Sequence, residues 1–392
     1  MEPRVALVTL SPFPIGNVAT VRYSSYCKAI ARKGIFTKVY VIAPSRTAAV
    51  NKDVSGVEDG VAYQYMCNKT GWDRAPSSFI KLLYYTKGLF NTAVQLRRDN
   101  VTCVILFSSD LYSYFFMWGF KNLFPVILLT DKSEYPFGYK KMGSVRQFLH
   151  RLKLKVFDGL IVMTSELMKF YETAKADKAK LFHLPMTIDL SKFDGVVKFP
   201  QHEPYIACVF GVHNRDGLLD TVKAYKAYRD NLQEESYKLW LIGDFSRLPD
   251  NKIICSFIFD NGLESDVLRK GVIAYENIPQ ILADAECLIT TATEYVSGGF
   301  PTKLGEYLAS GTPVVATSAG EIDIYLTNRK NAFLSKPGDI VDISSNLIFV
   351  HKNKGDALVV AQAGRAIACK AFNAESYADD LILFVKSVME DR

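Results

Sequence analysis

The sequence predicts an α/β protein made of two Rossmann-like, doubly wound domains facing each other across a cleft. Three observations predict it. The chain has 392 residues, more than one ordinary core accommodates. Short apolar runs alternate with segments of helical period along its whole length. The alternation also restarts after a polar, proline-containing linker, FPQHEPY at Phe199–Tyr205. The first domain is accordingly placed at 1–195 and the second at 204–373.

Composition narrows the class. With 49% hydrophobic and 22% charged residues, the chain reads as globular, without a long disordered tract. Its start, MEPRVALVTLSPFP, reads as a strand and not a signal peptide. No stretch reaches the ~18 uninterrupted apolar residues of a spanning helix; Leu111–Leu129 comes nearest and is broken by Lys121, Asn122 and Pro125. Seven scattered cysteines without a CxxC pair indicate reduced thiols in the cytoplasm and no structural zinc. Charge is unevenly divided. Residues 1–200 hold 28 Lys and Arg against 15 Asp and Glu, a net +13, while residues 201–392 hold 19 against 26, a net −7. The first half is thus suited to an anionic neighbour, or is simply kept soluble by its charge.

In order, Val5–Leu10 is a buried strand, followed by a Pro/Gly loop and a helix whose inner face carries Tyr23, Tyr26, Cys27 and Ile30. Lys38–Ala43 is the next strand. This strand–loop–helix–strand order makes a mononucleotide-binding half with its ligand groove at the strand ends. Gly16 and Asn17 would line the groove and Arg22, on the first helical turn, stands on the acceptor side or on the surface. Ser78–Arg98 is helical, and Val101–Phe107 and Val126–Thr130 are strands. Asp131 and Glu134 follow the last of these, where such sheets present ligands. Either would orient an acceptor hydroxyl or stabilise positive charge, or else cap a helix or pair with Lys132; Glu134 is preferred as the catalytic candidate and Asp131 as an acceptor-side one. Lys140–Val156 is a basic amphipathic helix expected to pack on its own sheet, with the surface of an anionic membrane as the other seat. Gly159–Met163 is a strand, and a helix follows Thr164. In the second half Tyr205–Phe210, Lys238–Ile242, Gly271–Ala274 and Cys287–Thr290 are strands, with helices at Leu218–Tyr228 and from Gln280.

Ser297–Gly320 (SGGFPTKLGEYLASGTPVVATSAG) is the organising stretch. Gly298 and Gly299 allow close backbone approach, Pro301 suits a helix start, Gly311 a helix end, and Pro313–Ala316 a buried strand. A helix start presents free N–H groups and a positive dipole end to an anion, with Lys303 adding a charge and Glu306 an acceptor for hydroxyls. Arg215, in the loop after the first strand of this half, either joins Lys303 in stabilising a departing diphosphate or pairs with Asp216 or Asp220.

These residues resemble the nucleotide-sugar site of retaining glycosyltransferases of the GT-B fold, family four. The supporting pieces are GGFPTKLGEYLASGTPVVAT, SAGEIDIYL, GVHNRDG, LWLIGD, LPMTIDLSKF and GRAIACKAFN. The resemblance implies sugar transfer from a UDP- or GDP-sugar to a saccharide or lipid-linked acceptor, with retained configuration and no cofactor or metal. It implies a C-terminal helix, within 374–392, that crosses back to complete the acceptor-binding first domain. It assigns Glu306 to the nucleotide ribose, Thr302, Lys303 and Arg215 to the diphosphate, and Gly243, Tyr275 and Ile278 to the base pocket. Gly211, Asn214, Asp244, Gly298, Gly299, Phe300 and Leu304 join the donor side. The family's usual first glutamate is missing: eight positions before Glu306 stands Gly298, with Glu294 nearby as a substitute. Neither His150 nor His183 occupies the place of the family's N-terminal histidine. The product expected is a surface polysaccharide or glycolipid, made in the cytoplasm or peripherally at the inner membrane face, without nucleic-acid partners. A nucleotide-sugar 2-epimerase and a degenerate nucleotide-binding subunit are the alternatives.

Overall fold

A computed structural model describes residues 2–45, 51–108, 110–136, 143–176, 178–211, 216–293 and 298–391, excepting the Arg146 side chain. Arg215, Asn214 and Glu294 lie outside the described residues, as do Lys140, Lys141 and Met142. The chain divides into two domains. One comprises Met1–Asp189, Ser297–Gly299 and Ala374–Arg392, the other Leu190–Val296 and Phe300–Asn373.

The first domain is an eight-stranded sheet of β1 (Val5–Thr9), β2 (Thr37–Val41), β3 (Ser55–Glu58), β4 (Val61–Tyr65), β5 (Cys103–Phe107), β6 (Ile127–Lys132), β7 (Gly159–Val162) and β8 (Lys180–His183), in the order β3-β4-β2-β1-β5-β6-β7-β8. Only β3 runs antiparallel, pairing with β4. The sequence reading passed over this hairpin, although its Asp59-Gly60 turn takes the positive φ values, 47° and 81°, that such a dipeptide favours. The helices are α1 (Val18–Arg32), α2 (Ser78–Arg98), α3 (Leu111–Leu123), α4 (Ser144–Leu154) and α5 (Ser165–Ala174). Alternate strand residues feed two cores. Leu7, Val39, Ile105 and Leu129 pack with α1 and the C-terminal helix Ala378–Glu390, while Val8, Tyr40, Val104 and Leu128 pack with α2, α3 and α5. Burial on both faces explains why β1 is apolar from Val5 to Val8.

The second domain holds β9 (Tyr205–Val209), β10 (Lys238–Ile242), β11 (Val267–Gly271), β12 (Cys287–Thr290), β13 (Val314–Thr317) and β14 (Phe333–Ser335), all parallel in the order β11-β10-β9-β12-β13-β14. Its helices are α6 (Leu218–Leu232), α7 (Asn251–Asp260), α8 (Ile278–Asp284), α9 (Thr302–Ser310), α10 (Ile322–Tyr325), α11 (Ile340–Lys352) and α12 (Lys354–Ile367). The strand order reverses direction between β1 and β5 in one sheet and between β9 and β12 in the other, the position at which open α/β sheets leave a ligand crevice.

Four expectations need correction. The first domain ends at Asp189 instead of 195, because the turn Leu190–Phe193 buries Phe193 within the second domain. The strand expected at Gly271–Ala274 lies at Val267–Gly271, paired with β10 with a register shift between Leu241 and Ile242, and ends at Gly271 with φ +71°. Asp131 stands within β6, opposite Ile161 of β7, and not after the strand. Finally, α4 does not lay its apolar face on the sheet: Leu154 is buried, but Val145, Phe148, Leu149 and Leu152 are exposed.

Candidate functional site

At the crevice position of the second sheet, β9 ends at Val209 and α9 begins just beyond Pro301. Pro301 itself caps the helix, and Gly311 ends it with φ +74°. Lys303 and Glu306 stand three residues apart on α9 and therefore share a face. The Lys303 ammonium donates to Asp216 Oδ2 at 2.8 Å and to the Val209 carbonyl at 3.0 Å. The same Asp216 oxygen accepts from the Gly211 amide, which folds the loop entry over the strand end. Tyr307, buried behind, accepts from the Val209 amide at 2.6 Å. The lysine is thus held at the mouth of β9, beside the positive end of α9.

Glu306 heads a second group. Its Oε1 accepts from the Tyr275 hydroxyl at 2.7 Å, and that hydroxyl accepts from Lys192 Nζ, also at 2.7 Å. The Lys192 ammonium lies 3.9 Å from the centre of the Tyr275 ring. Burial raises the Glu306 pKa above the ordinary carboxylate value, against the lowering pull of the Tyr275 hydrogen bond and the Lys192 charge. An oriented carboxylate of this kind accepts hydrogen bonds from a ligand's hydroxyl pair, and the adjacent ammonium and helix start suit an anion.

Other candidates are placed as follows. Ile278 opens α8 and is buried, close in sequence to Tyr275. Gly243 lies against Phe210, where a Cβ would stand 2.7 Å from the Phe210 carbonyl oxygen. Asp244 caps its own turn through the Ser246 amide and hydroxyl. Thr302 is half-buried at the helix start, whereas Leu304 is fully enclosed. Phe300 packs against Tyr325 and Phe372 in the core. The side chains of Leu304 and Phe300, both expected on the donor side, are thus turned to the interior.

Gly298 and Gly299 belong to the first domain. Gly298 has φ +72°; a Cβ on it would stand 2.8 Å from the Tyr135 ring and 2.9 Å from Leu167. Its carbonyl accepts from Thr164 Oγ1 at 2.7 Å. A side chain is excluded twice over, by the backbone and by the space. Glu134 is exposed on the loop after β6. Gly16 crosses directly over Thr20, and Asn17 caps α1 in a reciprocal box with the same threonine. Arg22 and Asp131, expected on an acceptor side, are enclosed and paired with each other: Arg22 Nε donates to Asp131 Oδ2 at 3.0 Å, Nη1 to the Pro185 carbonyl and Nη2 to that of Leu184. Among the described residues no group of three His, Cys, Asp or Glu is placed to hold a metal ion, and no helix is long and apolar enough to cross a membrane.

Sequence reasoning missed Lys192 and gave Asp216 only as a partner for Arg215. Lys192 lies within the LPMTIDLSKF stretch, but 83 residues separate it from Tyr275, so its partner is visible only in the tertiary fold.

Comparison with known proteins bears on the fold. Residues 203–353 match the family described as Glycosyl transferases group 1. No curated protein sequence matches the chain. Among solved structures, sucrose-phosphate synthase from Thermosynechococcus elongatus superposes with a TM-score of 0.76 at 15% identity, covering 100% of both chains. A glycosyltransferase from Rickettsia africae does so at 0.69 and 15%, again over 100% of both. HepE from Anabaena, solved in complex with UDP, does so at 0.68 and 14%, over 98% of this chain and 100% of its own. These likenesses establish the fold: two Rossmann-like domains with parallel sheets, the arrangement called GT-B.

Proposed function

We propose that the chain is a retaining glycosyltransferase that moves a hexose from a UDP- or GDP-sugar to a saccharide or lipid-linked acceptor, in surface polysaccharide or glycolipid synthesis. The observation that carries the reading is the α9 face, where Lys303 at the β9 mouth and Glu306 with Tyr275 and Lys192 stand one helical turn apart. Glu306 would take the ribose hydroxyls, and Lys303 with Thr302 and the helix start would take the diphosphate. As the glycosidic bond breaks, negative charge grows on the leaving diphosphate oxygens. A fixed ammonium and helix amides stabilise that charge more than they stabilise the bound donor. Arg215 would add to it. Gly243, Tyr275 and Ile278 would line the base pocket, and Glu134 would orient the acceptor. Turnover without metal is part of the proposal. So is a peripheral position on an anionic inner membrane face, supported by the uncovered apolar side of α4 and its basic residues.

The test is thermal stabilisation by a panel of nucleoside diphosphates and their sugars with EDTA present. One base should raise the midpoint selectively in the wild type and not in Glu306→Ala. No response to any nucleotide rejects the donor site. A second reading, a binding subunit that no longer transfers sugar, is favoured by Gly298 in place of the usual glutamate. It predicts nucleotide stabilisation without hydrolysis or transfer of any bound sugar.

A further inference from the structure

Helices α2, α3 and α4 together contain no Asp or Glu, against eight Lys and Arg. They nonetheless leave large apolar side chains uncovered, among them Phe79, Leu83 and Phe90 on α2 and Phe115 and Trp118 on α3. The Phe90 and Phe116 rings meet edge-on at 5.1 Å, which joins the two helices into one apolar surface. Contiguous exposed apolar area of this kind marks a binding face. The excess of positive charge on these helices disfavours a second copy of the same face and matches an anionic bilayer.

At the start of α2 a pocket of about 710 Å³ opens between the helix and the ends of β1 and β2, a volume typical of ligand sites. Leu10, Pro44, Trp72, Pro76 and Leu82 make it apolar, and Lys81 is the one charged residue in its lining among the described residues. Two of its hydroxyls are already engaged: that of Ser45 donates to the Thr70 carbonyl and that of Tyr85 to Asp110 at 2.7 Å. A sugar would find few hydrogen-bond partners here, whereas a hydrocarbon chain needs none. We infer that this pocket takes the hydrocarbon tail of an anionic membrane lipid, with Lys81 at the lipid phosphate and the α2–α3 face against the bilayer. Identifying that lipid as the sugar acceptor rests on the glycosyltransferase reading; the binding of the tail does not.

The chain has three tryptophans, so Trp118→Phe with Trp240→Phe leaves Trp72 as sole reporter in the full-length protein. The probe is vesicles of phosphatidylcholine with phosphatidylglycerol whose acyl chains carry bromine, which quenches tryptophan on contact. Trp72 emission should fall on binding. In Leu82→Glu, an exposed position that leaves circular dichroism unchanged, vesicle partitioning should weaken about tenfold or more and the quenching disappear. Vesicle binding with Trp72 unquenched, equal quenching in Leu82→Glu, or no binding at all would each overturn the inference. Nucleotide stabilisation measured on the same samples separates the two proposals. Quenching without a nucleotide response keeps the tail site and removes the acceptor assignment; a nucleotide response without quenching removes the tail site and leaves the donor site standing.

Discussion

Each domain holds an ion pair near the crevice edge of its sheet, and the two are built differently. In the first domain Arg22 and Asp131 are 2% and 0% exposed, and every arm of the guanidinium has an acceptor. In the second, Lys303 and Asp216 are 17% and 11% exposed, and the lysine is a compact charge on a flexible stem. A wholly enclosed arginine with every arm engaged fixes structure, because removing either partner leaves an unpaired charge out of reach of water. A partly exposed ammonium at a strand end is free to exchange its partner for an incoming anion. Arg22 and Asp131, for which the sequence left an acceptor-side role open, are thus enclosed and paired with each other.

The largest expected effect comes from breaking the enclosed pair. Arg22→Ala or Asp131→Ala should lower the unfolding free energy by about 3–5 kcal/mol, read by denaturant titration. A joint replacement with apolar residues should cost much less than the two single losses combined. A loss below about 1 kcal/mol for either single variant would place the pair with ordinary surface bridges. Lys303→Ala tests the other side of the comparison. It should reduce sugar transfer or donor hydrolysis by about a hundredfold or more, while its unfolding midpoint stays near that of the wild type. If stability falls as it does for Arg22→Ala and turnover holds, the contrast between the pairs fails.

Gly298→Ala is a smaller perturbation. Its positive φ and the crowding by Tyr135 and Leu167 should cost about 1–3 kcal/mol in the same titration. A neutral result would mean that the loop shifts freely and that the missing glutamate has no steric cause. The smallest effect concerns Glu306, whose pKa burial raises. The folded state then binds this proton more tightly than the unfolded chain does. Stability from this group is fullest below the ordinary carboxylate value and is lost as pH rises through the raised one. Glu306→Gln should therefore gain in melting temperature relative to the wild type as pH goes from about 4 to 7. A difference that does not change with pH would mean that Tyr275 and Lys192 fully offset the burial.

The sequence by itself determined the alternation of strands and helices, and with it the two doubly wound domains. Local period and turn chemistry decide those features, as at Ser78–Arg98, Lys238–Ile242 and the Gly311 helix end. It also brought Lys303 and Glu306 onto one helical face, since three residues fix that relation. Partners distant in the chain were not legible. Lys192 reaches Tyr275, Asp216 reaches Lys303, Arg22 reaches Asp131, and Tyr135 fills the space beside Gly298 only because sheet order and helix packing bring them there. The fate of apolar faces was equally out of reach. The stripes on α1 and α4 read alike, yet the tertiary structure covers the first with the β1–β2 core and leaves the second exposed. Amphipathicity records that a face is apolar, and packing decides what meets it.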